Sequence, residues 1–176
     1  MATTEQQPAS YPRAFQSAVG KVLGDEGGYS DDPADPGGET NWGICKRNYP
    51  ALDIKSLTRV HAIAIYYRDW WQRYHYCDLP APIGAKVFDL AVNIGPEHAM
   101  NCLQRALRAC GKRVEEDGVN GSATRIAAQA ANQAALLAAL RSEAAGYYRE
   151  LAARERGRRG GTGAEFLRGW LNRAYE

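Results

Sequence analysis

From Gly27 to Gly43 the chain reads Gly-Gly-Tyr-Ser-Asp-Asp-Pro-Ala-Asp-Pro-Gly-Gly-Glu-Thr-Asn-Trp-Gly, a stretch that no helix can run through. Its prolines remove backbone donors, and its glycines favour turns over helical turns. On both sides of it, apolar residues recur at helical spacing. The chain is therefore expected to be mainly α, a helical body with one small β-hairpin or irregular loop near the N-terminus.

Phe15, Ala18, Val19, Val22 and Leu23 predict a helix from about Pro12 to Glu26, stopped by Gly27-Gly28. Ile54 to Tyr74 reads as a second helix, with Pro80 and Pro82 breaking the pattern. A buried helix follows from about Ile83 to Ile94, and Gly95-Pro96 separates it from one carrying Ala99, Cys102, Leu103, Ala106, Leu107 and Cys110. Asp117-Gly118-Val119-Asn120-Gly121 is a turn cluster, after which Ser122 or Thr124 is placed to cap a helix. Residues 123–153 read as alanine-rich helix with a break near Asn132. Arg154 to Gly163 reads as a basic, glycine-rich loop, and Phe166, Leu167, Trp170 and Leu171 as a last amphipathic helix. The expected layout is a polar tail over 1–12, a catalytic lobe over 13–82 and a helical lobe over 83–176, the two lobes sharing a cleft.

Charge and cysteine usage narrow the function classes. The 176 residues carry a net charge of +2, and residues 121–176 hold nine arginines against five glutamates. That excess suits an anionic polymer, yet the Arg154–Arg159 cluster lacks interleaved aromatics, so no nucleic acid is expected as partner. Cys45, Cys77, Cys102 and Cys110 form no CxxC pair, and the three histidines are scattered, which excludes zinc-site spacing. Pro33 and Gly37 stand where a calcium loop wants ligands. No apolar run approaches the ~20 residues of a membrane span, so no stable membrane insertion is expected. The first residues lack a basic start and an apolar middle, so synthesis in the cytoplasm without a signal peptide is expected.

The residues around the loop support glycosidic chemistry. Cleaving a glycosidic bond needs a proton for the leaving oxygen and help for the developing oxocarbenium ion. Glu26 sits where a helix is expected to end, and the negative helix end and apolar neighbours favour its protonated form. Asp35 is the best candidate for stabilising the cation or activating water, with Asp31, Asp32 and Glu39 as competitors. Thr40 is placed to hold a water. Tyr29, Asn41, Trp42 and Asn93 are the candidate substrate contacts. Four of these residues have a structural alternative: Tyr29 and Trp42 in the core, Thr40 bonding to backbone in a turn, Asn93 capping its helix. Asp117 reads as a structural turn residue, and Trp70, Trp71 and Trp170 as core.

Glu26-Gly27-Gly28-Tyr29, followed by Asp32-Pro33-Ala34-Asp35-Pro36-Gly37-Gly38-Glu39-Thr40-Asn41-Trp42-Gly43-Ile44, resembles the opening of glycoside hydrolase family 108 lysozymes, muramidases of phage endolysins and some bacterial secretion systems. The second half resembles that family's predicted peptidoglycan-binding region through Phe88-Asp89-Leu90-Ala91-Val92-Asn93-Ile94-Gly95-Pro96, Leu103 to Leu107, Asp117 to Thr124 and Phe166 to Arg173. The resemblance implies an α+β lysozyme-like fold and Glu26 as the catalytic acid. It is also similar to phage-type lysozymes that space a Glu, an Asp or Cys, and a Thr. Eight residues separate Glu26 from Asp35 as they do there, but four rather than five separate Asp35 from Thr40. The implied function is N-acetylmuramidase, cutting the β-1,4 bond between N-acetylmuramic acid and N-acetylglucosamine in peptidoglycan glycan strands. A lytic transglycosylase and a non-catalytic peptidoglycan-binding module are the alternatives. No cofactor and no metal are expected. The expected protein is a monomer that acts in the periplasm or on the cell wall after release through a holin or secretion machinery.

Overall fold

The structure, a computed structural model, describes residues 11–25, 28–31, 38–159 and 163–175. The chain divides into two compact units, Met1–Tyr74 and His75–Glu176. The expected helical body with one small hairpin is what forms: seven α-helices and a single two-stranded antiparallel sheet among the described residues.

In the first unit, α1 (Arg13–Asp25) buries Phe15, Ala18, Val19, Val22 and Leu23, the stripe that its sequence spacing predicts. Phe15 packs edge-on against Tyr67 at 4.9 Å and tilted against Trp71 at 5.5 Å. The hairpin follows, with β1 (Thr40–Asn41) paired to β2 (Ile44–Cys45) in the register Thr40↔Cys45 and Asn41↔Ile44. The next helix is shorter than its sequence suggests. Residues 54–58 form a connection, and α2 (Arg59–Ile65) begins only after Thr58, whose side chain accepts from the His61 N–H. The hydroxyl cap supports this start, because it satisfies a first-turn N–H that has no acceptor within the helix. From Tyr66 to Gln72 the helix widens to π geometry. With i→i+5 bonding, Tyr66 and Trp71, five positions apart, are both buried.

The second unit opens on a 3-10 turn (Tyr76–Asp78) and α3 (Ala81–Ile94). Pro82 does not break this helix but lies in its first turn, where a missing N–H costs nothing. Gly84 lies against the 3-10 turn so closely that a Cβ there would collide with the Tyr76 carbonyl. Gly95, at φ 88°, turns the chain into α4 (Pro96–Ala109). The α5 helix (Ser122–Gln129) is capped by Gly121 with no side-chain bond, so neither Ser122 nor Thr124 serves as the cap. Ser122 is already helical, and the Thr124 hydroxyl accepts from Gln104 at 3.3 Å. The expected break near Asn132 divides α5 from α6 (Gln133–Arg159), with the Asn132 side chain accepting from the Ala135 N–H. The segment from Arg154 to Arg159 is helical rather than looped, since arginine is a strong helix former. Helix α7 (Gly163–Tyr175) packs on α6, where Trp170 stacks on Tyr148 at 5.8 Å.

Polar groups tie this bundle together. Lys86 and Asp89, one turn apart on α3 and each only 7% exposed, form an ion pair at 3.2 Å. Asp89 also accepts from Arg173 Nε of α7 at 3.2 Å, and the Lys86 ammonium donates to the Arg173 carbonyl. A buried charge is costly unless paired and hydrogen-bonded, and these three residues supply both to one another. Gln104 of α4, fully buried, organises the following turn. Its Nε2 donates to Asp117 Oδ1 at 2.6 Å and to the Val119 carbonyl at 3.1 Å, and its Oε1 accepts from the Gly118 N–H at 3.0 Å. Asp117 is thus the turn residue it was expected to be.

Candidate active site

The hairpin closes the acidic loop on its C-terminal side. Its turn places Trp42 at φ 53° and Gly43 at φ 73°. Two consecutive positive φ values are what a two-residue type I′ hairpin turn requires, and they suit the right-handed twist of the flanking strands. Glycine takes this conformation freely, whereas a bulky residue such as Trp42 does so only when its surroundings hold it there. Three bonds do so. The Tyr66 hydroxyl donates to the Trp42 carbonyl at 3.1 Å, and the Trp42 indole N–H donates to the Leu57 carbonyl at 3.1 Å. The buried Asn41 amide donates to the Ile54 carbonyl at 3.0 Å and the Leu57 carbonyl at 3.3 Å.

Asn41 and the Trp42 indole nitrogen therefore spend their donors on the 54–57 connection. Thr40 stands one residue before Asn41 on β1. Its backbone exchanges two 2.8 Å hydrogen bonds with Ser30, which ties the hairpin to the strand-like residues after Tyr29. The Thr40 hydroxyl donates to the Gly38 carbonyl at 3.3 Å, leaving the lone pairs of its oxygen to accept.

Tyr29 lies beside this strand with its ring 39% exposed, not in the core. Its hydroxyl donates to Glu39 Oε1 at 3.3 Å, and Lys55 Nζ lies 5.8 Å from the ring centroid. Desolvation, and then the negative charges of Asp31 and Glu39, push the phenol's pKa up, so the hydroxyl stays protonated and works as a donor. Glu39, one of the competing carboxylates, is thereby engaged by Tyr29. Asn93 belongs to the second unit. There its amide donates back to the Asp89 carbonyl at 2.7 Å, one turn earlier in α3, while the residue is exposed. Glu26, Asp32 and Asp35 lie outside the described residues, and α1 is described to Asp25. No group of His, Cys, Asp and Glu suited to holding a metal occurs among the described residues.

Sequence reasoning missed Tyr66 because it lies 24 residues from the carbonyl it holds, inside a run that reads simply as apolar helix. The positive φ at Trp42 had a fainter signal, the Trp-Gly pair at the tip of a two-residue turn.

Comparison with known proteins bears on both units. The sequence profile of glycosyl hydrolase 108 matches residues 19–95, and that of a predicted peptidoglycan domain matches residues 98–175. The solved structure of Brucella abortus SagA is similar throughout: 30% sequence identity, TM-score 0.72, covering 91% of this chain and 88% of that one. Among curated proteins nothing matches. The chain belongs to the glycosyl hydrolase 108 family. It is accordingly a glycoside hydrolase by family, with a lysozyme-like, peptidoglycan-degrading function and peptidoglycan as its partner.

Proposed function

We propose that this protein is an N-acetylmuramidase that hydrolyses the β-1,4 bond between N-acetylmuramic acid and N-acetylglucosamine. The observation that carries the reading is the family match over residues 19–95, which spans Glu26, Asp35 and Thr40, together with the locked hairpin that presents Thr40. Glu26 gives its proton to the leaving glycosidic oxygen. The Asp35 carboxylate stabilises the oxocarbenium ion or deprotonates the attacking water. The Thr40 oxygen, donating to Gly38, keeps lone pairs that accept from that water. The exposed Tyr29 ring offers an apolar face for a sugar, with its hydroxyl anchored on Glu39. The protein works as a monomer in the periplasm or on the wall, after release by a holin or a secretion machinery.

The test is digestion of purified peptidoglycan by the wild type and by Glu26→Gln, with mass spectrometry of the unreduced fragments. Reducing muramic-acid ends that vanish in the variant are the expected result. Anhydro ends would make the protein a lytic transglycosylase. No fragments from a folded wild type would leave a binding role.

A further inference from the structure

The second unit carries a groove of about 830 Å³ between the end of α4 and the start of α5. Three cationic side chains line it: Arg108, Lys112 and Arg113. Lys112 lines the groove along its stem while its ammonium donates to the Ala130 carbonyl at 2.9 Å, at the far end of α5. Arg108 shares Glu116 with Arg105, whereas the exposed Arg113 enters no ion pair among the described residues. Two acidic side chains, Glu115 and Asp117, line the groove as well. The Asp117 charge is taken up by the Gln104 amide and the Val119 N–H, at 2.6 and 2.9 Å.

Two backbone features share this groove. Residues 113–116 lie in no helix or strand, and among the described residues no backbone–backbone hydrogen bond involves 113–117. The main-chain groups of 113–116 therefore have no backbone partner and are open to hydrogen bonds from a bound peptide. Opposite, Gly121, Ala123 and Thr124 line the groove at the start of α5, whose cap supplies no side-chain acceptor. The first-turn N–H groups of such a helix favour a carboxylate.

We infer that this groove binds the stem peptide of peptidoglycan, with its carboxylates on Arg113 and the start of α5, and its main chain along residues 113–116. A stem peptide carries several carboxylates and, on its diamino residue, an ammonium. The groove offers cations for the former and Glu115 for the latter. The inference rests on the peptidoglycan-degrading reading and adds where the peptide, as distinct from the glycan, is held.

The test uses the full chain carrying Glu26→Gln, so that binding is read without turnover. A fluorescently labelled synthetic stem pentapeptide is titrated by anisotropy, with chitohexaose and inorganic phosphate as competitors. Two further substitutions are added singly. Ala123→Asp places a carboxylate in the first turn of α5, which suits the helix and so preserves folding. Arg113→Glu reverses an exposed charge. Each is expected to weaken peptide binding about tenfold or more, with an unchanged melting temperature. In the otherwise wild-type chain, each is expected to leave cleavage of peptide-free glycan unaltered. Equal displacement by chitohexaose or phosphate, or unweakened binding in both folded variants, would overturn the inference. A wild type that cleaves no glycan would refute the muramidase reading alone, because the peptide titration does not depend on turnover.

Discussion

Tyr66 is wholly buried, and its hydroxyl ends on the carbonyl of a residue held at positive φ. A buried hydroxyl that finds such an acceptor regains the hydrogen bond it gave up in leaving water. Tyr66→Phe keeps the ring and removes the donor, so a loss of about 1 kcal/mol is expected, read as a lower denaturation midpoint. Turnover on peptidoglycan should fall as well, because the hairpin that carries Thr40 loses a restraint. Unchanged turnover in a destabilised variant would reduce Tyr66 to a packing residue. Asp89 presents the opposite case. Asp89→Ala removes the carboxylate that the buried Lys86 ammonium and the Arg173 guanidinium share, at a cost of about 3–5 kcal/mol. Urea denaturation should then show the second unit losing structure at markedly lower denaturant.

At the scale of elements, the connection between α4 and α5 is the acid-sensitive part of the bundle. The Arg105 hydrogen bond holds the Glu116 carboxyl below the ordinary range, and the Val119 N–H and Gln104 amide do the same for Asp117. Folded values below the unfolded ones mean that this stabilisation is present above about pH 4 and is lost as pH falls through that region. Glu116→Gln should flatten the acid limb of a melting-temperature profile between about pH 5 and 3, and added salt should shrink the difference. The same elements show what a sequence reveals. Helix α1 was legible through its apolar stripe, and α5 and α6 through their alanines and the break at Asn132. The π segment Tyr66–Gln72 was not, because its apolar spacing looks like that of an ordinary helix until the partners of Tyr66 and Trp71 are known. Lys86 and Asp89 stand as charges within an apolar run, but Arg173, which joins their pair, stands far down the chain. Of the site, the hairpin and the turn role of Asp117 were readable from local composition. The commitment of Asn41 and Trp42 to residues 54–57 depends on tertiary contacts that no local pattern encodes.

For the molecule as a whole, the two family regions and the two compact units divide the chain at different places. The profiles meet between residues 95 and 98, whereas the units part between Tyr74 and His75. Helix α3, with Val87, Phe88, Leu90 and Ala91 fully buried, packs on α4 and α6 and so belongs structurally with the peptidoglycan domain. A fragment of residues 75–176 is expected to melt cooperatively. One of residues 98–176, cut at the family boundary, should bind hydrophobic dyes and show no cooperative transition, since it lacks α3. Circular dichroism melts of the two fragments check this. The ion pair that joins α3 to α7 spans 84 positions of sequence. During synthesis, Asp89 therefore leaves the ribosome long before Arg173 exists to meet it. A nascent chain arrested between the two carries a finished apolar helix with two charges on it and no lid, the kind of surface that chaperones and proteases recognise. Translation pauses over residues 100–170 should therefore lower the yield of this protein more than pauses of equal length near its start.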